Sequence, residues 1–147
     1  VLANKLRQDP IANSDSPGTS HLVSADRWGL VVSLTSTVNT AFGARVMDPK
    51  SGIILNNEMN DFSIPGSTNF FGFEPSPNNF IHAGKRPQSS MSPVIVEMPG
   101  TDQIALAIGG QGGSRIISAV TQVLSYVLGR KRNCSAVLIE PRFHDQL

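Results

Sequence analysis

The stretch GTSHLVSADRWGLVVSLTSTVNT, residues 18–40, decides the fold of this chain. Two strand-like runs, 21–25 and 30–36, flank Asp26-Arg27-Trp28-Gly29, which reads as a hairpin turn in which Gly29 supplies a positive φ. Ahead of the hairpin, residues 1–18 are polar and turn-rich, with Asp9-Pro10 and Asn13-Ser14-Asp15-Ser16-Pro17-Gly18, the composition of an exposed tail. Order is expected from Thr19 onward. Thr19 therefore stands where tail meets strand. A Thr at a strand start is commonly just a β-branched residue in its preferred place. A break of the Gly18-Thr19 bond would change that, because the freed α-amine would sit beside the Thr19 hydroxyl as its base.

Further along, 52–55 is a short apolar run ending in Asn56-Asn57-Glu58-Met59-Asn60-Asp61. Its two carboxylates, three residues apart, suit either a solvated turn or a grip on an ammonium group. Residues 65–87 are rich in Asn, Pro, Ser and Gly, with Phe70, Phe71, Phe73 and Phe80 among them. This predicts a long loop pinned to the body by aromatic anchors. Lys85-Arg86-Pro87-Gln88-Ser89-Ser90-Met91-Ser92-Pro93 places hydroxyls between two prolines, hence in a stiff loop.

A second hairpin is expected from 93–98 and 103–108 around Pro99-Gly100-Thr101-Asp102. Gly109-Gly110-Gln111-Gly112-Gly113-Ser114 follows. Then Ile116, Ile117, Val120, Val123, Leu124, Val127 and Leu128 recur at helical spacing, with Gly129 as a stop. A glycine run between strand and helix can bind an anion on its backbone N–H groups. The spacing is not that of a dinucleotide fingerprint, and no Lys-Ser/Thr follows for a Walker loop. An oxyanion hole from the Gly112 and Gly113 amides and simple close packing of helix on strand both remain. A second short helix is expected over 136–140, before Pro141. Hairpins first and helices afterwards indicate an α+β layered domain.

Composition narrows the function classes. A formal charge of +1 over 147 residues provides no field for nucleic acid or an acidic membrane. The basic run Arg130-Lys131-Arg132 falls just past the helix end, where cations meet a favourable dipole. The single cysteine, Cys134, excludes an internal disulfide and a Cys-rich zinc site. Asn133-Cys134-Ser135 fits the glycosylation pattern, one that arises often by chance.

Taken in order, these segments resemble the γ-glutamyltransferase small (catalytic) subunit from residue 18 to about 146. The resemblance rests on Gly18-Thr19-Ser20-His21, the run 33–40 with Phe42-Gly43, the run 52–63, the run 85–93, Gly112-Gly113-Ser114-Arg115-Ile116 and Pro141-Arg142-Phe143-His144. It implies an N-terminal-nucleophile hydrolase of the αββα sandwich type, incomplete here. Residues 1–18 would be the tail of a large subunit, and 19–147 the N-terminal part of the small subunit, separated by self-cleavage of the precursor between Gly18 and Thr19. By motif position, Thr19 would be the nucleophile and Thr37 would hydrogen-bond its hydroxyl. Asn39, Glu58 and Asp61 would hold the donor's α-amino group, and Ser89 and Ser90 its α-carboxylate. Gly112 and Gly113 would stabilise the oxyanion.

The implied donors are glutathione and other γ-glutamyl compounds, and the acceptors water, amino acids or dipeptides. The implied partner is the large subunit, and no metal or organic cofactor is implied. The family's compartments are the secretory pathway, cell surface, periplasm or vacuole. The chain departs from the family pattern at Ser20, usually Thr, and at Gln111, usually a smaller residue or Pro. It also stops where family small subunits continue, and it lacks the large-subunit Arg that contacts the donor carboxylate. Two other readings are an inactive truncated fragment and a related N-terminal-nucleophile amidase or acylase.

Overall fold

The computed structural model describes residues 17–69 and 72–146. Of the tail expected over 1–18, residues 1–16 lie outside the described residues, as do two of the expected aromatic anchors, Phe70 and Phe71, while Pro17 and Gly18 belong to the first strand. Two antiparallel hairpins come first and helices last. Strands β1 (Pro17–Ala25) and β2 (Val31–Thr40) form one ribbon, and β3 (Val94–Glu97) and β4 (Ile104–Ile108) the other.

Both strands of the first hairpin are longer than the apolar pattern predicts. Pairing carries β1 back to Pro17 and β2 forward to Thr40, and the β-branched Thr19, Thr37, Val38 and Thr40 among the added residues suit a ladder. The turn forms as expected, locked by the Asp26 carboxylate, which accepts from the Trp28 and Leu30 amides at 2.8 and 2.9 Å. The ribbon's faces are unlike each other. Leu22, Val32 and Leu34 lie on an exposed face, while Thr19, His21, Ser33, Thr35 and Thr37 face inward. That inward face meets the second hairpin through Ser33, whose hydroxyl donates to the Ile108 carbonyl at 3.2 Å.

Helix α1 (Arg115–Leu124) lies over the β3–β4 ribbon. Its Ile116, Val120 and Val123 are buried with Ile108 and with Val137 of α2 (Cys134–Leu138). The spacing of these residues on one helical face is the pattern that predicted the helix. The helix does not run unchanged to Gly129: Ser125–Gly129 form a wider, π-type turn. Tyr126 lies in that turn, with the Arg130 and Arg132 guanidinium groups over its ring at 4.9 and 5.8 Å. Arg132 also pairs with Glu140, so two members of the basic run pack locally. Helix α2 begins two residues before the predicted start, because the Asn133 side chain caps it by accepting from the Ala136 amide at 3.2 Å.

The long loop departs from its expectation. Phe73 is exposed and Phe80 only half-buried, whereas Asn79 is buried and makes the loop's strongest attachments. Aromatic content signals an anchor only where the ring finds an apolar bed. Here the bed is polar, and an amide side chain fits it.

Candidate active site

The inward face of the first hairpin, the turn at Glu58–Asp61, the long loop and the start of α1 enclose a cleft of about 80 Å³. Of the residues singled out above, Thr19, Thr37, Asn39, Glu58, Asp61, Ser89, Ser90 and Gly113 line it. Gly112 stands beside Gly113 without lining the wall. Gly18 lies behind Thr19, in β1. His21, in the same motif, turns away: its Nδ1 lies 2.9 Å from the Thr35 hydroxyl and its ring sits under Gly109, where a Cβ would come within 2.1 Å.

Strand register brings Thr19 opposite Thr37, with their hydroxyl oxygens 3.0 Å apart. Just beyond, the register slips. Val38 and Asn39 stand opposite Gly18, and Asn39 takes a positive φ of 75°. Such a bulge re-aims a side chain. The Thr37 hydroxyl accepts from the Asn39 amide at 2.8 Å and donates to the Gly18 carbonyl at 3.3 Å. Only glycine fits at position 18, since a Cβ there would lie 2.5 Å from the Thr40 carbonyl oxygen.

Asn39 is buried, and its amide donates to the Asn57 carbonyl at 3.1 Å. Asn57 ties the end of β2 to the acidic turn by accepting from the Thr40 amide at 3.2 Å and donating to its hydroxyl at 2.8 Å. Glu58 and Asp61 share a hydrogen bond. Burial raises the Glu58 carboxyl to about 7, with the neighbouring Asp61 charge and that shared bond adding to the rise. Burial also raises Asp61, partly offset by its bonds to Glu58 and Asn39. One Glu58 oxygen is buried with no partner. Glu74 adds a third carboxylate to the lining, and no Lys or Arg lines the cleft among the described residues. This wall attracts a cation.

Opposite, Ser89 and Ser90 precede β3. Gly112 and Gly113 have positive φ values of 131° and 61°. Among the described residues, neither of their amides donates to a protein acceptor. A nucleophile, a carboxylate pair, a hydroxyl pair and free amides together can take a zwitterionic acyl group to a covalent ester. Sequence reasoning missed Ser63, Glu74, Asn79 and Gln88, which also line the cleft. Asn79 carried one local signal, its place at the end of the 3-10 turn Pro77–Asn79.

The chain belongs to the gamma-glutamyltranspeptidase family, whose sequence pattern matches residues 3–147. Over 133 residues it is 51% identical to a glutathione hydrolase proenzyme of Arthroderma benhamiae, covering 90% of this chain and 23% of that protein. Over 130 residues it is 43% identical to glutathione hydrolase proenzyme 1 of Schizosaccharomyces pombe, covering 88% and 20%. The chain thus spans about a fifth of the length of these curated relatives.

Among solved structures, the Helicobacter pylori gamma-glutamyltranspeptidase superposes with a TM-score of 0.79 at 46% identity, covering 86% of this chain and 68% of that one. The Pseudomonas nitroreducens enzyme complexed with L-DON gives 0.80 at 41%, covering 87% and 66%. The α and β elements described above therefore belong to the fold family of these N-terminal-nucleophile hydrolases.

Proposed function

We propose that this chain is the catalytic part of a longer precursor that hydrolyses or transfers γ-glutamyl groups, with glutathione as donor. Residues 1–18 are then the end of the large subunit, and residues 19–147 lie in an αββα sandwich whose other layers come from the remainder of the precursor. The exposed Leu22, Val32 and Leu34 favour such a covering layer, because a contiguous apolar strand face is normally buried. The glutathione hydrolase names of the relatives favour the same activity.

Maturation begins when the Thr19 hydroxyl attacks the Gly18 carbonyl carbon. The C–N bond breaks, the acyl group passes to Thr19 Oγ1, and the amide nitrogen becomes a free α-amine. Water then hydrolyses this ester, leaving the Gly18 carboxylate and the Thr19 hydroxyl. In turnover, the α-amine takes the hydroxyl proton as Thr19 attacks the γ-carbonyl of the donor. The Gly112 and Gly113 amides stabilise the oxyanion, and that proton leaves with the departing amine. The resulting γ-glutamyl ester yields to water, or to the amine of an amino acid or dipeptide.

Asn39, Glu58 and Asp61 hold the α-ammonium, and Ser89 and Ser90 the α-carboxylate. A head lacking either charge leaves buried polar groups unpaired and is rejected. The single observation that carries this reading is the Thr19–Thr37 hydroxyl pair at 3.0 Å in a cleft that also holds Glu58 and Asp61. The test is turnover of a γ-glutamyl anilide, with a dipeptide acceptor, by the full-length protein and by Thr19→Ala. Turnover that survives Thr19→Ala would sink the proposal.

A further inference from the structure

We infer that Asn79 is a positioning residue that fixes the separation between the two grips of the cleft, and so sets selectivity for an acyl head carrying both charges. This rests on the donor reading above. Asn79 is 8% exposed, and all three hydrogen-bonding capacities of its amide that face the protein are used. The NH2 group donates to the Asp61 carbonyl at 2.7 Å and to the Ser63 hydroxyl at 3.3 Å. The amide oxygen accepts from the Gln88 N–H at 2.9 Å.

The donor end is thus fastened to the acidic turn and the acceptor end to the residue preceding Ser89-Ser90. Those segments are far apart in the chain, and one planar side chain of fixed length joins them. The backbone is held as firmly: the Asn79 N–H donates to the Ser76 carbonyl at 2.9 Å, and the Asn79 carbonyl accepts from the Ser63 amide at 3.0 Å. A buried amide with every group satisfied is rigid, because any displacement orphans a polar atom in a dry site. The amide is also directional. An oxygen in place of its NH2 group would face the Asp61 carbonyl oxygen and push the acidic turn away.

The test uses the full-length protein and three anilides: γ-glutamyl, glutaryl (no α-amino group) and 4-aminobutanoyl (no α-carboxylate). Wild type is compared with Asn79→Ala, with the near-isosteric Asn79→Asp, and with Ser63→Ala, which removes the 3.3 Å bond from Asn79 together with the bond that Ser63 accepts from the Ser76 amide at 3.2 Å. The expected result for Asn79→Ala and Asn79→Asp is a rise of roughly tenfold or more in KM for the γ-glutamyl anilide, with kcat changed far less. The preference for γ-glutamyl over the two truncated heads should fall by a similar factor. Ser63→Ala should shift both quantities in the same direction by a smaller factor, and it serves as the test if the Asn79 variants do not mature. A merely structural role would lower kcat or the yield of mature enzyme and leave the preference intact. Unchanged preference in every variant that matures would overturn the inference. A wild type that showed no preference among the three heads would overturn the donor reading beneath it, and the two failures are distinct.

Discussion

The hydroxyl oxygens of Thr19 and Thr37 lie 3.0 Å apart because the two residues face each other directly across the β1–β2 ladder. Thr37 also accepts from the Asn39 amide and donates to the Gly18 carbonyl. With its own proton on the Gly18 oxygen, Thr37 can take the Thr19 hydrogen bond only as acceptor. The three groups form a chain, Thr19 O–H to Thr37 O–H to the carbonyl of the bond proposed to break. On the proposed mechanism, Thr37 would both orient the attacking hydroxyl and polarise its target.

Thr37→Val keeps the β-branched shape and removes this chain. The full-length Thr37→Val precursor should therefore remain largely uncleaved under conditions where wild type separates completely, as read by denaturing electrophoresis over time. Cleavage at the wild-type rate would show that Thr37 is only a ladder residue.

Asp61→Ala should act on binding. A charge-assisted contact to an ammonium contributes about 1.5–3 kcal/mol, which raises KM for a γ-glutamyl anilide roughly 10- to 150-fold. The kcat value should fall much less. Steady-state kinetics with KM unchanged would remove Asp61 from the ammonium grip.

The pH dependence follows from Glu58. Its carboxyl is raised to about 7 by burial and then by Asp61, so it is protonated below that pH and ionised above it. An ammonium needs the ionised form. Donor capture should therefore strengthen as pH rises through about 7, while the donor's own ammonium, held by its adjacent carboxylate, stays charged. That value lies above the ordinary 4.5 of a glutamate carboxyl. Protonation of Glu58 hence stabilises the fold below 4.5, and that contribution is lost as pH rises through 7. The check is kcat/KM against pH for wild type and Glu58→Gln, since this quantity reports the free enzyme. The ratio of wild type to variant should climb through about pH 7, and a flat ratio would contradict the assignment.

Gly113 is buried and sits at a positive φ of 61°, and its amide donates to no protein acceptor among the described residues. Gly113→Ala should lower kcat with little change in KM, because the displaced amide acts on charge that develops only in the transition state. Loss of one such donor costs about 2.7–4 kcal/mol. Single-turnover rates measure this directly, and an unchanged acylation rate would assign the glycine run to packing alone.

Much of this arrangement was legible in the sequence, for reasons that differ from residue to residue. The helix after the glycine run was plain because Ile116, Val120 and Val123 repeat on one face and glycine punctuates strongly. The Thr19–Thr37 hydrogen bond was implied by the family resemblance and not by the strand pattern. The apolar pattern ends β2 at Ser36, and the register that brings the two residues opposite depends on hydroxyl residues extending both strands. The positive φ of Asn39 arises from the bulge, a tertiary feature with no local signature. Asn79 was hidden most deeply. Its loop is rich in turn-formers and carries four phenylalanines, and the pattern points to the rings as anchors. The burial of Asn79 comes instead from partners at Asp61 and Gln88, whose proximity only the folded chain creates.

The most direct test of the central claim is mass spectrometry of the full-length protein, quenched during turnover of a γ-glutamyl anilide and then digested. The account predicts a subunit whose first residue is Thr19, carrying a γ-glutamyl ester on that residue's side-chain oxygen and none in Thr19→Ala. Turnover by protein whose Gly18-Thr19 bond is intact, or an adduct on any other residue, would contradict it.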